Sequence, residues 1–231
     1  MTRVAIIGAG ISGLACARQL AKAGVSVVVF DKGRGIGGRV ATRRAGDLQF
    51  DHGAPFVRAQ RDDFSALLAS LTVDGSAVPW TDDKGVTWTV GSPGMSAIPK
   101  AMGVGLDVRL GTQILKVNAD QSGWYLHYDE TEYVATHIVV TVPKPQIADL
   151  LGYTHPLIPQ ITNVKMEPGL TLMATVSGST PAITPFLPSD PLALITCDSS
   201  KPNRPINENT SWVAQAGTKF SVTHLKKNLP D

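Results

Sequence analysis

The chain has 231 residues, 43% hydrophobic and 17% charged, with a net charge of +2. That length can bury one large core or two small ones, and so slight a charge gives no argument for nucleic acid or a membrane surface as partner. The apolar runs are strand-sized, too short to cross a bilayer, and two cysteines without CxxC spacing or a disulfide framework suit a reducing, cytoplasmic setting.

The first fifty residues are the most informative. The apolar run Val4 to Ile7 is followed by Gly8-Ala9-Gly10-Ile11-Ser12-Gly13 and an Ala-rich helical stretch from Gly13 to Ala23. A second apolar run, Val25 to Phe30, then ends in Asp31. Strand, glycine turn, helix, strand and terminal acid make one βαβ unit, the dinucleotide fingerprint in its structural context. Gly8 allows the sharp turn, Gly10 lets backbone approach a pyrophosphate, and Gly13 lets helix and strands pack closely. The diphosphate would sit over the helix N-terminus, where free N–H groups and the macrodipole favour negative charge, and Ser12 can add a hydroxyl donor. The Asp31 carboxylate can accept from ribose hydroxyls and would repel a 2′-phosphate, which favours FAD or NAD over NADP. A glycine turn with a purely structural role is the alternative, and the two strands and the acid in register argue against it. Arg3 and the stretch ending Ala15-Cys16-Ala17 imitate a secretory leader, but glycines at 8, 10 and 13 break its apolar region.

A basic loop comes next, with Lys32, Arg34, Arg39, Arg43 and Arg44 and no acid among residues 32–44. Solvated surface explains Arg34 and one of the pair Arg43/Arg44. No aromatics interleave, which argues against a nucleic-acid patch. Arg39 follows the paired glycines Gly37-Gly38, which allow a tight loop, and a guanidinium can grip phosphate bidentately. A plain nicotinamide fold does not need Gly37-Gly38-Arg39 with Thr42; the addition points to FAD.

Further along, Asp47 to Asp51 reads as a short strand and Arg61 to Leu71 as a helix with Phe64, Leu67, Leu68 and Leu71 on one face. Val78 to Val90 alternates around Asp82-Asp83-Lys84-Gly85, a hairpin signal. Trp80 and Trp88 on that hairpin either line a substrate cavity or pack across the strands. Pro93-Gly94 opens a helix to about Met102. Val108 to Val117, Trp124 to Tyr128 and Tyr133 to His137 read as a meander, and Ile138 to Val142 as a parallel-type strand returning to the nucleotide sheet. From Pro143 the texture changes, with twelve of the sixteen prolines. Leu170 to Val176, Leu192 to Cys197 and Ser211 to Ala216 read as strands, and Phe220 to Leu229 as a final helix. The histidines show neither HxH nor HExxH spacing, so no metal site is expected, and no GxSxG elbow supports hydrolase chemistry.

Gly8 to Gly13, Asp31-Lys32, Gly37 to Arg44 and Asp51-His52-Gly53-Ala54-Pro55-Phe56 together resemble the flavin-containing amine oxidase superfamily. Val90 to Ser96, Thr141 to Gln146 and Asp198-Ser199-Ser200-Lys201-Pro202 extend the likeness, which is strongest to bacterial renalase-like FAD-dependent oxidoreductases. The resemblance implies an α/β fold: a Rossmann-type FAD-binding domain (1–75 and 105–150) with an inserted or appended antiparallel β-rich substrate domain (76–104 and 151–231). The family's closing return to the FAD domain, with its glycine-aspartate strand end, is not found before Pro230-Asp231. A piece of a longer protein and a shortened homologue therefore both stand.

The resemblance also implies FAD as cofactor, contacted by Gly8, Gly10, Ile11, Ser12, Gly13, Asp31, Lys32, Gly38, Arg39, Gly53, Ala54, Pro55, Phe56 and Ile114. Ile114 would reach the adenine through its backbone, by family position; a core strand residue is the alternative. Gly53 and Ala54 are small enough to admit the flavin ring. The implied chemistry is hydride transfer from a reduced small molecule to flavin, with reoxidation by O2. A reduced nicotinamide nucleotide is the first substrate expected and a simple amine the second. His52 is the one candidate base, yet hydride removal from a dihydropyridine needs none, which favours a structural role. The alternatives are a flavin-binding module without turnover and an NAD-dependent dehydrogenase, the latter disfavoured by Gly37-Gly38-Arg39. Nothing in the sequence indicates an oligomeric state.

Overall fold

The computed structural model of the protein describes residues 1–178 and 190–225. Its early strands are β1 (Arg3–Ile7), β2 (Ser26–Phe30), β3 (Arg43–Ala45), β4 (Leu48–Phe50), β5 (Ala77–Thr81), β6 (Thr87–Gly91) and β7 (Asp107–Arg109). They are followed by β8 (Lys116–Asp120), β9 (Gly123–Tyr128), β10 (Thr131–Ala135), β11 (His137–Val140), β12 (Thr171–Ser177), β13 (Leu192–Cys197) and β14 (Asn209–Ala216). The helices are α1 (Ile11–Lys22), α2 (Asp62–Val73), α3 (Ala97–Gly103), α4 (Ile147–Leu151), α5 (Leu157–Gln160) and α6 (Thr218–His224). Two compact units result, Met1–Gly38 with Pro99–Met166 and Arg39–Ile98 with Glu167–Asp231.

In the first unit a four-stranded parallel sheet runs β11-β1-β2-β7. Its central strands are continuous apolar runs because both faces are covered. Side chains alternate along each strand, so Ala5, Ile7, Val28 and Phe30 face one way and join Ile114, Val117, Leu126, Ala135 and Leu150 in one buried cluster. The antiparallel sheet β10-β9-β8, the residues just before β8, and α4 supply those partners. α1 packs against β1 and β2 through buried Gly13, Leu14 and Ala17. The strand at Ile138 returns as expected, with β11 parallel to β1 and Ile138 opposite Ala5. The single strand expected over 108–117 is instead two. β7 lies beside β2 in the parallel sheet, Gly111 takes a positive φ of 65° that ends it, and β8 starts at Lys116.

The second unit holds an antiparallel sheet, β12-β14-β13, and the hairpins β3–β4 and β5–β6. Trp80 lies opposite Trp88 in the β5–β6 register and is buried. Trp88 packs on Phe56, with ring centroids 4.2 Å apart, and donates its indole N–H to Asp82 at 3.2 Å. Trp80 is thus a core residue, and Trp88 is held by Phe56 and Asp82. Asp82 also caps the hairpin, accepting from Lys84 and Val86 N–H. Burial alone would raise its pKa, but the bonds from Val86, Trp88 and Lys84 hold it below the usual carboxylate value.

Compactness parts the chain at other points than the domains expected from sequence, because residues 39–75 join the second unit. The reason is long-range anchoring: Val57 bridges Thr89, Asn207 donates to the Asp47 carbonyl, and Asp51 is held by residues near 200. Strand β3 and helices α4 and α5 carried no apolar period strong enough to announce them; all three residues of β3 are exposed. The last helix runs Thr218–His224 rather than from Phe220, and positions 226–229 of the expected helix lie outside the described residues.

Candidate functional site

The glycine turn lies wholly in the first unit. Gly8 adopts φ 113°, a conformation open to glycine, and a Cβ there would meet Thr141 Oγ1 at 2.6 Å. Thr141 closes the turn by donating its hydroxyl to the Ile7 and Gly8 carbonyls (3.0 and 3.1 Å), a role its residue type alone did not reveal. A Cβ on Gly13 would sit 1.9 Å from the Gly8 carbonyl oxygen, so α1 can approach β1 only with glycine there. Gly10 differs. Nothing lies within 4 Å of where its Cβ would be, so the missing side chain leaves open space beside the helix start. Gly10 is the N-cap of α1, with no side-chain cap and no acid in the first turn. Its neighbours Ile11 and Ser12 begin the helix, with Ser12 exposed. Unpaired first-turn N–H groups and the positive end of the helix dipole therefore front a cleared space, which fits an anionic diphosphate.

Two further predicted residues lock this turn. Gly10 bridges Gly37, and Gly38, at φ 54°, brings its backbone against Gly10 so that a Cβ would be 3.5 Å from the Gly10 Cα. The Asp31 carboxylate accepts from Ala9 N–H at 2.6 Å and Gly33 N–H at 2.7 Å. Sequence reasoning assigned Asp31 to ribose alone; it also staples β1's turn to the loop after β2. Each oxygen keeps lone-pair capacity for a hydroxyl donor. Lys32 is exposed and reaches Gln146 at 3.3 Å. Ile114 lies just before β8 with its side chain buried in the core cluster.

The other predicted segment, His52 to Phe56, lies in the second unit with Arg39. A Cβ on Gly53 would be 2.1 Å from the Arg39 carbonyl oxygen, and the Ala54 N–H donates to that carbonyl at 2.9 Å. The Arg39 side chain itself is exposed. Gln215 on β14 donates to the Gly53 carbonyl. Pro55 is buried, Phe56 packs on Trp88, and His52 is half-buried. Its ring forms no hydrogen bond with the described residues.

What sequence reasoning missed is the cluster behind this segment. Asp51 is fully buried, and its Oδ1 accepts from Thr42 Oγ1 at 2.7 Å and Met95 N–H at 2.9 Å. Oδ2 accepts from Lys201 Nζ at 2.9 Å and Arg204 Nη2 at 2.6 Å. The Asp51 N–H donates to Asp198, whose other oxygen forms an ion pair with Lys201 at 2.5 Å. Arg204 Nη1 donates to the Gly91 carbonyl at 2.9 Å and also to that of Pro93. Two carboxylates thus meet two cations, all nearly excluded from water. Burial pushes the Asp51 carboxyl up, but Lys201, Arg204, Thr42 and Met95 together hold it below the ordinary value. Asp198 goes the other way: burial and the nearby Asp51 charge outweigh Lys201 and raise it. The neighbouring Cys197 thiol is likewise pushed up by burial. The sequence carried one local hint, an acid and a lysine three residues apart in Asp198 to Lys201.

Among the described residues, no group of three or more His, Cys, Asp or Glu could hold a metal ion, and no helix is long and apolar enough to cross a membrane. Residues 6–71 match the NAD(P)-binding Rossmann-like domain and residues 77–180 match the flavin containing amine oxidoreductase family. A candidate flavin-containing monoamine oxidase of Mycobacterium tuberculosis, AofH, is 37% identical over 70 residues, which are 30% of this chain and 15% of that protein. Protoporphyrinogen oxidase 2 of Arabidopsis thaliana is 36% identical over 69 residues, 30% of this chain and 14% of its own length. The chain therefore matches about a seventh of each of these relatives. In fold, wild-type putrescine oxidase bound to putrescine superposes with a TM-score of 0.70 at 14% identity, covering 98% of this chain and 78% of that one. Rossmann core, glycine turn and both family matches agree in making the chain similar to the flavin-containing amine oxidases, with the amine oxidoreductase match confined to residues 77–180.

Proposed function

We propose that the chain is an FAD-dependent oxidoreductase of the renalase-like kind, working in the cytoplasm on a small reduced molecule, first a dihydronicotinamide nucleotide and second an amine. The observation that carries the cofactor is the clearing at Gly10: open space at an uncapped helix start, closed on one side by Gly38. Ile11, Ser12 and Gly13 would present N–H groups to the diphosphate, Asp31 would take ribose hydroxyls, and the exposed Arg39 guanidinium would grip phosphate. Gly53 and Ala54 would leave room for the ring, with Pro55 and Phe56 shaping the approach. Lys32 and the Ile114 backbone would complete the adenosine side. When bound, the flavin supplies acceptance of a hydride and return of the electrons to O2. The protein's part is to bind, orient and exclude water. His52 is structural in this reading, since a dihydropyridine gives up hydride without a base.

Removing the Arg39 side chain tests the phosphate grip. Arg39→Ala should weaken FAD retention by about tenfold or more, the loss of one charge-assisted bidentate contact. Equal flavin occupancy in the two purified proteins would remove Arg39 from the site. For the substrate, the FAD-loaded chain is mixed anaerobically with dihydronicotinamide isomers and, separately, with amines. Bleaching of the band near about 450 nm by a dihydronicotinamide is expected. Bleaching by amines alone would move the chain to amine oxidation, and no bleaching by either would make it a binding module without turnover.

A further inference from the structure

Three stretches distant in sequence meet in the second unit: Asp51 to Phe56, Gly91 to Met95, and Asp198 to Arg204. Their junction is the buried cluster of two acids and two bases, and such clusters hold a fold together no better than apolar residues of the same volume. Their distinguishing property is direction, since each bond fixes one atom. Asp51 is fixed by five partners: Thr42, Met95, Lys201 and Arg204 on its carboxylate, and Asp198 on its N–H. Two residues on, the Gly53 carbonyl accepts from Gln215, and the next N–H, of Ala54, donates to the Arg39 carbonyl. Gly53 leaves no slack, because its missing Cβ is the space the Arg39 carbonyl occupies. The backbone of residues 51–54 is therefore clamped at alternate positions by side chains from two distant parts of the chain.

We propose that Asp198, Lys201, Arg204 and Gln215 are positioning residues: acting through Asp51 and Gly53, they set the His52–Phe56 segment against which the flavin ring lies. This rests on the flavin reading above. The charges serve geometry, and the fold can stand without part of them provided the remainder balances.

Two variants separate positioning from folding. Asp51→Asn with Arg204→Met removes one charge of each sign and leaves Lys201 paired with Asp198; Gln215→Leu leaves the cluster intact and frees only the Gly53 carbonyl. Each is first shown to unfold cooperatively, then examined by amide hydrogen exchange and by FAD titration. Exchange across residues 52–57 should accelerate by about tenfold or more while β1 and β2 keep their protection, and FAD affinity should fall by about tenfold. Unchanged exchange across 52–57 in both variants overturns the proposal. So does faster exchange with undiminished FAD affinity, which would leave the cluster a staple of the fold. A wild-type chain that takes up no FAD sinks the flavin reading instead, and the exchange data still decide whether the clamp exists.

Discussion

Replacing Gly10 by Ala is expected to leave the fold standing while the chain loses its hold on FAD. Gly10 sits at φ −76° and ψ 176°, backbone that any residue adopts, and a Cβ there meets nothing within 4 Å. An alanine N-cap should therefore cost no more than about 1 kcal/mol of stability. The added methyl would fill the clearing through which a diphosphate reaches the first-turn N–H groups, so binding should weaken by about thirtyfold, some ~2 kcal/mol. Gly13→Ala should behave oppositely. Its Cβ would lie 1.9 Å from the Gly8 carbonyl, a backbone atom that cannot swing aside, so stability itself should drop by about 1–3 kcal/mol. Denaturant midpoints and FAD fluorescence titrations of the two variants distinguish them. Should Gly10→Ala bind FAD as tightly as the wild type, the diphosphate is not held here.

The second large effect is expected at Lys201. Lys201→Met leaves Asp51 and Asp198 buried with Arg204 as their one cation, and an uncompensated buried charge costs about 3–5 kcal/mol. The pH dependence has a definite sign. Asp198 already has a raised carboxyl and would lose the lysine that lowers it. A carboxyl raised in the folded state favours folding below the unfolded value of about 3.9, and that contribution is lost as pH rises through the folded value. The deficit of Lys201→Met should thus be largest near neutrality and shrink on acidification. Asp51, lowered in the wild type, acts the other way: its contribution is present above the unfolded value and lost as pH falls through the folded one. Adding Asp198→Asn to Lys201→Met should restore much of the stability at neutral pH. Urea unfolding across a pH series measures both, and a deficit that does not change with pH would mean that losing Lys201 shifts the pKa of neither buried carboxyl.

How much of this was legible in the sequence depends on range. The βαβ unit, the Asp82 hairpin and the three late strands came from patterns confined to a dozen residues or so, where periodicity and glycine placement act locally. The 108–117 stretch read as one strand because its apolar character is continuous; only the positive φ at Gly111 shows where the chain leaves one sheet for another. The Asp51 cluster lay beyond such reading. Its charged partners stand 147, 150 and 153 residues away, and a buried Asp, Lys or Arg is locally indistinguishable from a solvated one. Asp31 shows a subtler limit: its position was legible, but its bonds to Ala9 and Gly33 depend on where the turn folds back. Residues of the motifs quoted for the family likeness at 51–56, 90–96 and 198–202 meet at Asp51.

The most direct measurement is the visible absorption spectrum of the purified chain, taken before and after denaturation and repeated after adding FAD. Bands near about 370 and 450 nm that denaturation releases as free FAD are the result the proposed function predicts. A colourless protein that also refuses added FAD would contradict the assignment of Gly10, Asp31 and Arg39 as its binding residues in this chain.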